Sequence, residues 1–309
     1  MEKIAILMAT YNAGKYLEEQ INSILKQTYS NFILFIHDDG STDQTIDIIN
    51  KYCQENDNVI FIKDDNSFHS VNKNFFFLLN YVKDKPINYF CFSDQDDIWK
   101  LDKLEKMIKY CKNIDNSKPF MIHTDATIVD KNNKIISESF NQFADLQMNR
   151  EDFWSISLNN NAQGSSMLIN KKCLDYLENV NVEEIDMYDH YISMISAYYG
   201  NQKFINKQFS RYRQHEKNVI GSSKSKRVID FINPITIKKY LTKTQNKLNM
   251  TIHTLEEFNN HANDNKIKEF INCLKSNNLY KKLKMIFKFD LNKNRKFKHL
   301  MSVIAFKYK

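Results

Sequence analysis

Residues 89 to 99 read Tyr89-Phe90-Cys91-Phe92-Ser93-Asp94-Gln95-Asp96-Asp97-Ile98-Trp99. An apolar, strand-forming run ends abruptly in three acids. Continuous hydrophobicity of this kind predicts a strand buried in a parallel sheet. Ligands of such sheets bind beyond the carboxyl ends of the strands. Asp94, Asp96 and Asp97 therefore stand where a ligand is expected. Three adjoining carboxylates repel one another unless a cation screens them. Hard oxygen ligands favour magnesium or manganese, which in turn hold phosphates. Read alone, the acids fit equally well a cap on the helix that starts near Leu101, because Asp is a common N-cap.

Two more strand ends repeat the pattern. Residues 32–36 form an apolar run followed by His37-Asp38-Asp39-Gly40-Ser41-Thr42-Asp43. Gly40 allows a sharp turn, and Ser41, Thr42 or Asp43 can cap the next helix. Residues 4–8 form a strand, and Ala9-Thr10-Tyr11-Asn12-Ala13-Gly14 turns into a helix. Three strands thus deliver polar loops to one edge of one sheet, an arrangement that a purely structural protein does not need.

The wider order is strand-helix, repeated. Helices are expected at about 14–27, 43–55, 71–82 and 101–112, and strands at about 3–8, 32–37, 59–63 and 89–93. That order predicts an α/β fold, a Rossmann-like, mostly parallel sheet with helices on both faces. Segments 120–124 and 127–136 read as further strand pieces with a turn at Asn132 and Asn133. Residues 165–169 read as a short strand and 188–199 as a helix. After Gly221 the alternation gives way to a helical pattern. The expected division is a catalytic domain over 1–221 and a helical, basic extension over 222–309.

Composition sets limits. A chain of 309 residues with 42% apolar content can pack one large domain and an appendage. No apolar run approaches the length of a membrane span. The chain enters its first strand at once, so no signal peptide is expected. The five cysteines, at 53, 91, 111, 173 and 273, show no metal-ligand spacing. An odd, scattered set points to a reducing cytoplasm. Residues 275–309 hold eleven Lys and Arg against one acid, Asp290. That tail carries +10 of a whole-chain charge of +7, which leaves residues 1–274 at −3. No nucleic-acid module accompanies the basic run, so nucleic acid is not an expected partner.

The ordered motifs resemble a known family. Ala9-Thr10-Tyr11-Asn12, then Gln27-Thr28, Asp38 to Asp43, and Ser93 to Trp99 are similar to the family-2 inverting glycosyltransferases, whose fold is called GT-A. The likeness continues through Gly164-Ser165-Ser166-Met167-Leu168-Ile169-Asn170, Asp189 and Tyr212-Arg213-Gln214-His215. The run from Tyr212 to Gly221 resembles the bacterial rhamnosyltransferase branch. The match covers about residues 1–221, and its specificity lies in the order and spacing of the motifs.

The resemblance implies a donor, a metal and a base. The donor is a nucleotide diphosphate sugar with a dTDP or UDP leaving group, whose charge needs a metal or cations. Asp94 and Asp96 form the Asp-any-Asp element. Asp96 is the implied ligand of manganese or magnesium, and Asp94 meets the ribose or a metal-bound water. Asp97 either orients the site or caps a helix. Asp39 accepts the imide N–H of uracil or thymine, Tyr11 stacks on the base, and Thr10 touches it through its backbone. Asp38 serves the ribose or the turn.

The catalytic base of the related rhamnosyltransferases is an Asp in a His-Asp-Trp element that opens a helix. Here the corresponding residues are Tyr188-Asp189-His190, so the Asp is kept and both neighbours differ. Asp189 is the implied base, with Asp186 next in line. His190 reads as a packing or surface residue rather than a catalyst. Arg211, Arg213 and His215 alternate along an extended segment and share a face. Arg213 is expected to contact diphosphate, and His215 to be a further metal ligand. Related enzymes place donor contacts in residues 66–74, where Lys73 can reach a phosphate and His69 reads as a loop residue.

The tail carries two apolar stripes at helical spacing. One is Leu279, Leu283, Ile286 and Phe287; the other is Phe297, Leu300, Met301, Ile304, Ala305 and Tyr308. Basic residues flank both. A basic amphipathic helix suits an anionic membrane surface; the alternatives are a helix packed on the catalytic domain and a dimer contact. The expected function is sugar transfer, with L-rhamnose from dTDP-rhamnose as the donor that the branch implies. The acceptor is a glycan or lipid-linked glycan of a surface polysaccharide, at the cytoplasmic face of the membrane. The rival function is a non-catalytic nucleotide-sugar or glycan-binding module, which would need neither base nor metal.

Overall fold

The apolar runs become strands of a single nine-stranded sheet in a computed structural model, which describes residues 2–64, 67–144, 146, 150–215 and 234–291. Its first half runs β1 (Ile4–Thr10), α1 (Leu17–Leu25), β2 (Phe32–Asp38), α2 (Thr45–Glu55), β3 (Val59–Phe61), α3 (Val71–Val82) and β4 (Tyr89–Ser93). Strands β1 to β4 are parallel, in the order β3-β2-β1-β4. The chain winds outward from β1 to β3, then returns to the other side of β1. That reversal opens a crevice above the carboxyl ends of β1 and β4.

Strand residues divide by parity, as a period of two requires. Ile4, Ile6 and Met8 pack with α1, α2 and α4 (Lys103–Cys111) through Leu17, Ile21, Ile49, Leu104 and Met107. Ala5 and Leu7 face the opposite layer, against Phe75, Leu78 and Leu79 of α3. Both faces of the sheet are therefore covered, as the unbroken apolar runs predict.

The second half completes the sheet with antiparallel and long strands. Between β4 and α4 the chain makes β5 (Ile98–Trp99). Then follow β6 (Phe120–Val129), β7 (Ile135–Ser137), α5 (Phe140–Ala144), α6 (Phe153–Leu158) and β8 (Met167–Asn170). The expected pieces 120–124 and 127–136 form one long strand, β6, and its hairpin partner β7. At the irregular midpoint of β6 Asp125 is buried and fully engaged: its carboxylate accepts from Ser139 Oγ at 2.6 Å and Asn141 N at 3.0 Å. The predicted turn is present, with Asn133 at φ +64°.

After α7 (Tyr188–Tyr199), β9 (Asn201–Arg213) runs parallel to β6 and pairs with β5 through Ile98↔Arg211 and Trp99↔Ser210. The sequence reading reached only the end of β9. Its polar and charged composition hides a 13-residue strand.

The C-terminal helices are α8 (Pro234–Ala262), α9 (Asn265–Lys275) and α10 (Leu279–Lys288). They are not a free appendage. Leu248, Ile252, Leu255, Phe258, Phe270 and Met285 share one apolar core with Phe153 and Ile156 of α6 and Tyr191, Met194 and Ile195 of α7. Polar bonds seal the junction, with Asn181 N donating to Glu257 Oε1 at 2.7 Å and Asp186 N to Thr254 Oγ1 at 2.8 Å. The stripe on α10 divides: Ile286 is buried in this core, whereas Leu279, Leu283 and Phe287 are exposed. The second stripe, residues 297–308, lies outside the described residues.

All five cysteines are free, and Cys91 is a buried core residue of β4. Among the described residues no helix is long and apolar enough to cross a membrane.

Candidate active site

The loops after β1, β2 and β4 meet the start of α7 around a cavity of about 1170 Å³. Thr10, Tyr11, Asp39, Asp94, Asp96, Asp189 and His215 all line it. These seven residues, all singled out in the sequence, thus share one space, although they span more than two hundred positions.

The first two loops lock each other. Asn12 adopts φ +48°, its amide donates to Ser41 Oγ at 2.8 Å, and its side-chain oxygen accepts from Thr42 N at 2.9 Å. Asp38 accepts from Thr10 Oγ1 at 2.7 Å, Ser41 Oγ at 2.6 Å and Ser41 N at 2.7 Å. Asp38 therefore organises the turn. Asp39 N donates to Thr10 O at 2.8 Å. Its carboxylate accepts from the amides of Phe68, His69 and Ser70 at 2.5, 3.0 and 3.2 Å. Asp39 thus pulls the loop before α3 into the wall of the cavity. His69, expected as a plain loop residue, lines that wall at φ +49° and meets Tyr11 edge-on, centroids 6.1 Å apart. Tyr11 stays 49% exposed, its ring open to a ligand. Gln95 grips the Tyr11 backbone from the acidic loop, at 2.7 Å from its amide and 3.1 Å from its carbonyl.

The acidic loop is crowded with carboxylates. Burial, then Asp96, then Asp189 push the Asp94 carboxyl up to about 7. Burial and the neighbouring Asp94 and Asp96 raise Asp97 well above the usual range. Asp97 is fully buried and accepts from Arg213 N at 3.3 Å. It is a support behind the loop and not a cap on α4, which has no side-chain cap bond. Asp96 Oδ2 lies 2.6 Å from His215 Nε2, and the His215 ring stacks on Tyr16 with centroids 5.2 Å apart.

Asp189 opens α7 and faces the acidic loop. Its Oδ1 accepts from Asn160 Nδ2 at 2.9 Å and its Oδ2 from Gly164 N at 3.0 Å. Burial pushes its carboxyl up to about 6. Asp186 does not line the cavity, and the adjacent His190 holds its carboxyl below the usual range. His190 is buried, with Nε2 at 2.8 Å from Ile156 O, so it packs as expected.

Only glycine fits at position 164, because a Cβ there would overlap the Tyr188 phenol. Tyr188 cannot swing away, being buried and stacked on Phe75 at 4.2 Å. Gly164→Ala should cost about 1–3 kcal/mol of stability through overpacking. It should also lower transfer by about 10²-fold, because the amide that aims Asp189 moves. Thermal melts and a transfer assay check this; a variant with wild-type rates would show that Gly164 does not place Asp189.

Two expected donor contacts are placed elsewhere. Arg213 is 2% exposed and lies behind the acidic loop, not in the cavity. Its Nε donates to Asp96 O at 2.9 Å and an Nη to Glu19 Oε2 at 2.6 Å, and its guanidinium stands 4.6 Å from the Tyr16 ring centre. In this position Arg213 braces the backbone of the acidic loop at Asp96. Lys73 also stays out of the cavity and pairs with Glu183 across the surface. A lysine missed in the sequence lies deeper. Lys103 is fully buried, donates to Ser165 O at 2.6 Å and sits 3.7 Å from the Trp99 ring centre. Burial lowers it to about 8, with Asp97 and Asp94 opposing. Nothing in a Lys-rich helix start marks it in advance.

Among the described residues no group of three or more His, Cys, Asp or Glu is placed to hold a metal alone. The donor set nevertheless fits manganese or magnesium in a site completed by substrate. Asp96 and His215 meet at one point of the cavity wall, and Asp94 lines the same wall beside them. Such cations commonly take one or two protein ligands and fill the rest with phosphate and water.

Comparison with known proteins follows the same lines. The description "Glycosyl transferase family 2" matches residues 5–171. The chain is 29% identical to the dTDP-rhamnosyl transferase RfbG of Shigella flexneri, over 70% of this chain and 74% of that protein. It is 33% identical to TuaG of Bacillus subtilis, a glycosyltransferase with a provisional name in teichuronic acid biosynthesis. That match covers 35% of this chain and 41% of TuaG. The structure of S. aureus TarS 1–349 in complex with UDP-GlcNAc superposes with a TM-score of 0.57 at 15% identity, over 98% of this chain and 79% of that one. The shared architecture is that of GT-A glycosyltransferases, and with the family match over more than half its length the chain belongs to glycosyl transferase family 2.

Proposed function

We propose that this glycosyltransferase works by inversion and with a divalent metal. It moves L-rhamnose from dTDP-rhamnose to a growing, lipid-linked bacterial surface polysaccharide at the inner face of the cell membrane. One observation carries the reading of the chemistry: a buried carboxylate with a raised pKa, Asp189, faces the Asp94–Asp96–His215 wall within the same cavity. A module that only binds sugar has no use for that pair of opposed groups. The similarity to RfbG supports the choice of donor.

The acceptor hydroxyl attacks the anomeric carbon from the side opposite the diphosphate. A glycosidic C–O bond forms there as the bond to the diphosphate oxygen breaks, and that electron pair leaves with the nucleotide. The hydroxyl proton passes to Asp189. A carboxylate raised to about 6 is a stronger proton acceptor than an ordinary one and is still ionised at neutral pH. Hydrogen bonds from Asn160 and Gly164 fix its direction. When bound, the cation neutralises the diphosphate charge; Asp96 and His215 would hold it, and Arg213 keeps Asp96 in place. Tyr11 offers a flat, open ring to the base. Asp39 offers a carboxylate at the base end of the cavity: its three loop-holding bonds take two sites on Oδ1 and one on Oδ2, leaving about one lone pair, on Oδ2, for an imide N–H.

The donor is tested by incubating the protein with manganese and a panel of nucleotide sugars and following release of nucleoside diphosphate. Turnover of dTDP-rhamnose ahead of UDP-glucose, UDP-galactose and their N-acetyl forms is expected. A UDP-hexose donor is the second reading, supported by the fold shared with TarS solved with UDP and UDP-GlcNAc. Exclusive use of UDP donors would establish it.

A further inference from the structure

Helix α10 has three sectors. Met285, Ile286 and the buried Lys282 face the helical core. Leu279, Tyr280, Leu283 and Phe287 lie on the outward side and are 56, 73, 41 and 72% exposed. Lys281 and Lys284 lie in the third sector, next to the exposed apolar one, where Lys288 pairs with Glu269. Four large apolar side chains side by side on one short helix make a patch that water does not favour. Tyr280 is an aromatic residue of the kind that settles at a membrane interface, and Phe287 of the kind found on the apolar face of interfacial helices.

We infer that this outer face of α10 is a docking surface for an anionic lipid bilayer. The charge chooses the partner. Residues 275–309 carry +10, whereas residues 1–274 carry −3. A negatively charged surface attracts the C-terminal stretch of sequence that includes α10 and repels the rest, and on α10 itself Lys281 and Lys284 supply the matching charge. The apolar sector then buries its side chains while the adjoining lysines reach the headgroups. The helix is braced for this task. Met285 and Ile286 share a core with Tyr191, Met194 and Ile195 of α7, the helix that carries Asp189. Docking α10 therefore sets the active site at a fixed height above the bilayer, which suits the lipid-linked acceptor of the proposed function. The binding itself does not depend on that function and is read without sugar transfer.

The test uses the full chain with phosphatidylglycerol-containing vesicles and with pure phosphatidylcholine vesicles, in a flotation assay at low and high salt. Binding to the anionic vesicles only, weakened by salt, is expected. The Leu279→Ser/Tyr280→Ser/Phe287→Ser variant should bind at least tenfold more weakly with an unchanged melt. Lys281→Glu/Lys284→Glu should lose the preference for anionic lipid. Ile135→Ser/Ile136→Ser removes exposed apolar groups on β7 and should bind like the wild type. Retained binding by the triple variant would place the contact elsewhere in the chain and overturn the proposal. So would sedimentation velocity showing a wild-type dimer that the triple variant converts to monomer, because the face would then belong to a second copy. Tyr280→Trp emission that is already blue-shifted without vesicles would show the face covered by the protein itself, and would also overturn it.

Discussion

Asp189→Asn is expected to lower sugar transfer by about 10²–10⁴-fold, the usual worth of a positioned general base. Donor affinity should be nearly unchanged, since the base touches the acceptor. Calorimetric titration of donor, paired with a transfer assay, separates the two. Loss of donor binding in a folded variant would move Asp189 into the donor site, and full activity would move the base to another residue. The pH profile is a second check. Asp189 must be ionised to take a proton, and burial holds it at about 6. The wild-type rate should therefore be level above about pH 7 and fall roughly tenfold per unit well below pH 6. Stability runs the opposite way. The folded state binds this proton more tightly than the unfolded chain, so ionising Asp189 between about pH 4 and pH 6 lowers stability as pH rises. An active site that is more stable when inactive is the expected signature of a carboxylate buried for its chemistry.

Asp96→Asn is expected to reduce transfer by about two or more orders of magnitude while the fold persists. The shape is kept and the charge is lost, so the pairing with His215 at 2.6 Å survives in neutral form while the ability to hold a cation does not. Manganese-dependent donor binding, followed by calorimetry with and without chelator, should weaken in step with the rate. A variant that kept most of its activity in metal-free buffer with chelator would remove Asp96 from the metal site. Asp94→Asn offers a contrast. Its carboxyl is raised to about 7 by burial and by Asp96 and Asp189, so neutralising it relieves repulsion.

The strands of the first half were legible because their information is local. An unbroken apolar run such as Tyr89 to Phe92 belongs to a strand covered on both faces, and Gly40 with its polar neighbours belongs to a turn. Helix α3 over Val71–Val82 and helix α7 over Tyr188–Tyr199 fall where their periodicity places them. Strand β9 was largely illegible because exposed Lys and Asn residues fill its outward positions. The two-residue β5 is defined only by its partner. The C-terminal helices were legible as helices, but their apolar faces do not say what they meet. They meet α6 and α7, through residues such as Leu248, Ile252 and Phe270.

By itself the sequence determined the class of chemistry: acidic and polar loops at the ends of parallel strands, in the order found in glycosyl transferase family 2. Residue type and spacing suffice for that, because turns, caps and strand ends are set by near neighbours. The tertiary structure decided how those residues are used. His215 reaches Asp96 across 119 positions, and Gly164 supplies the amide that aims Asp189. Arg213 lies behind the acidic loop, although its spacing aligns it with His215. The raised carboxyls of Asp94 and Asp189 arise from burial and from charges brought in by distant segments. Electrostatics of this kind depends on distance in space and on exclusion of water, and neither is encoded in the order of residues along the chain.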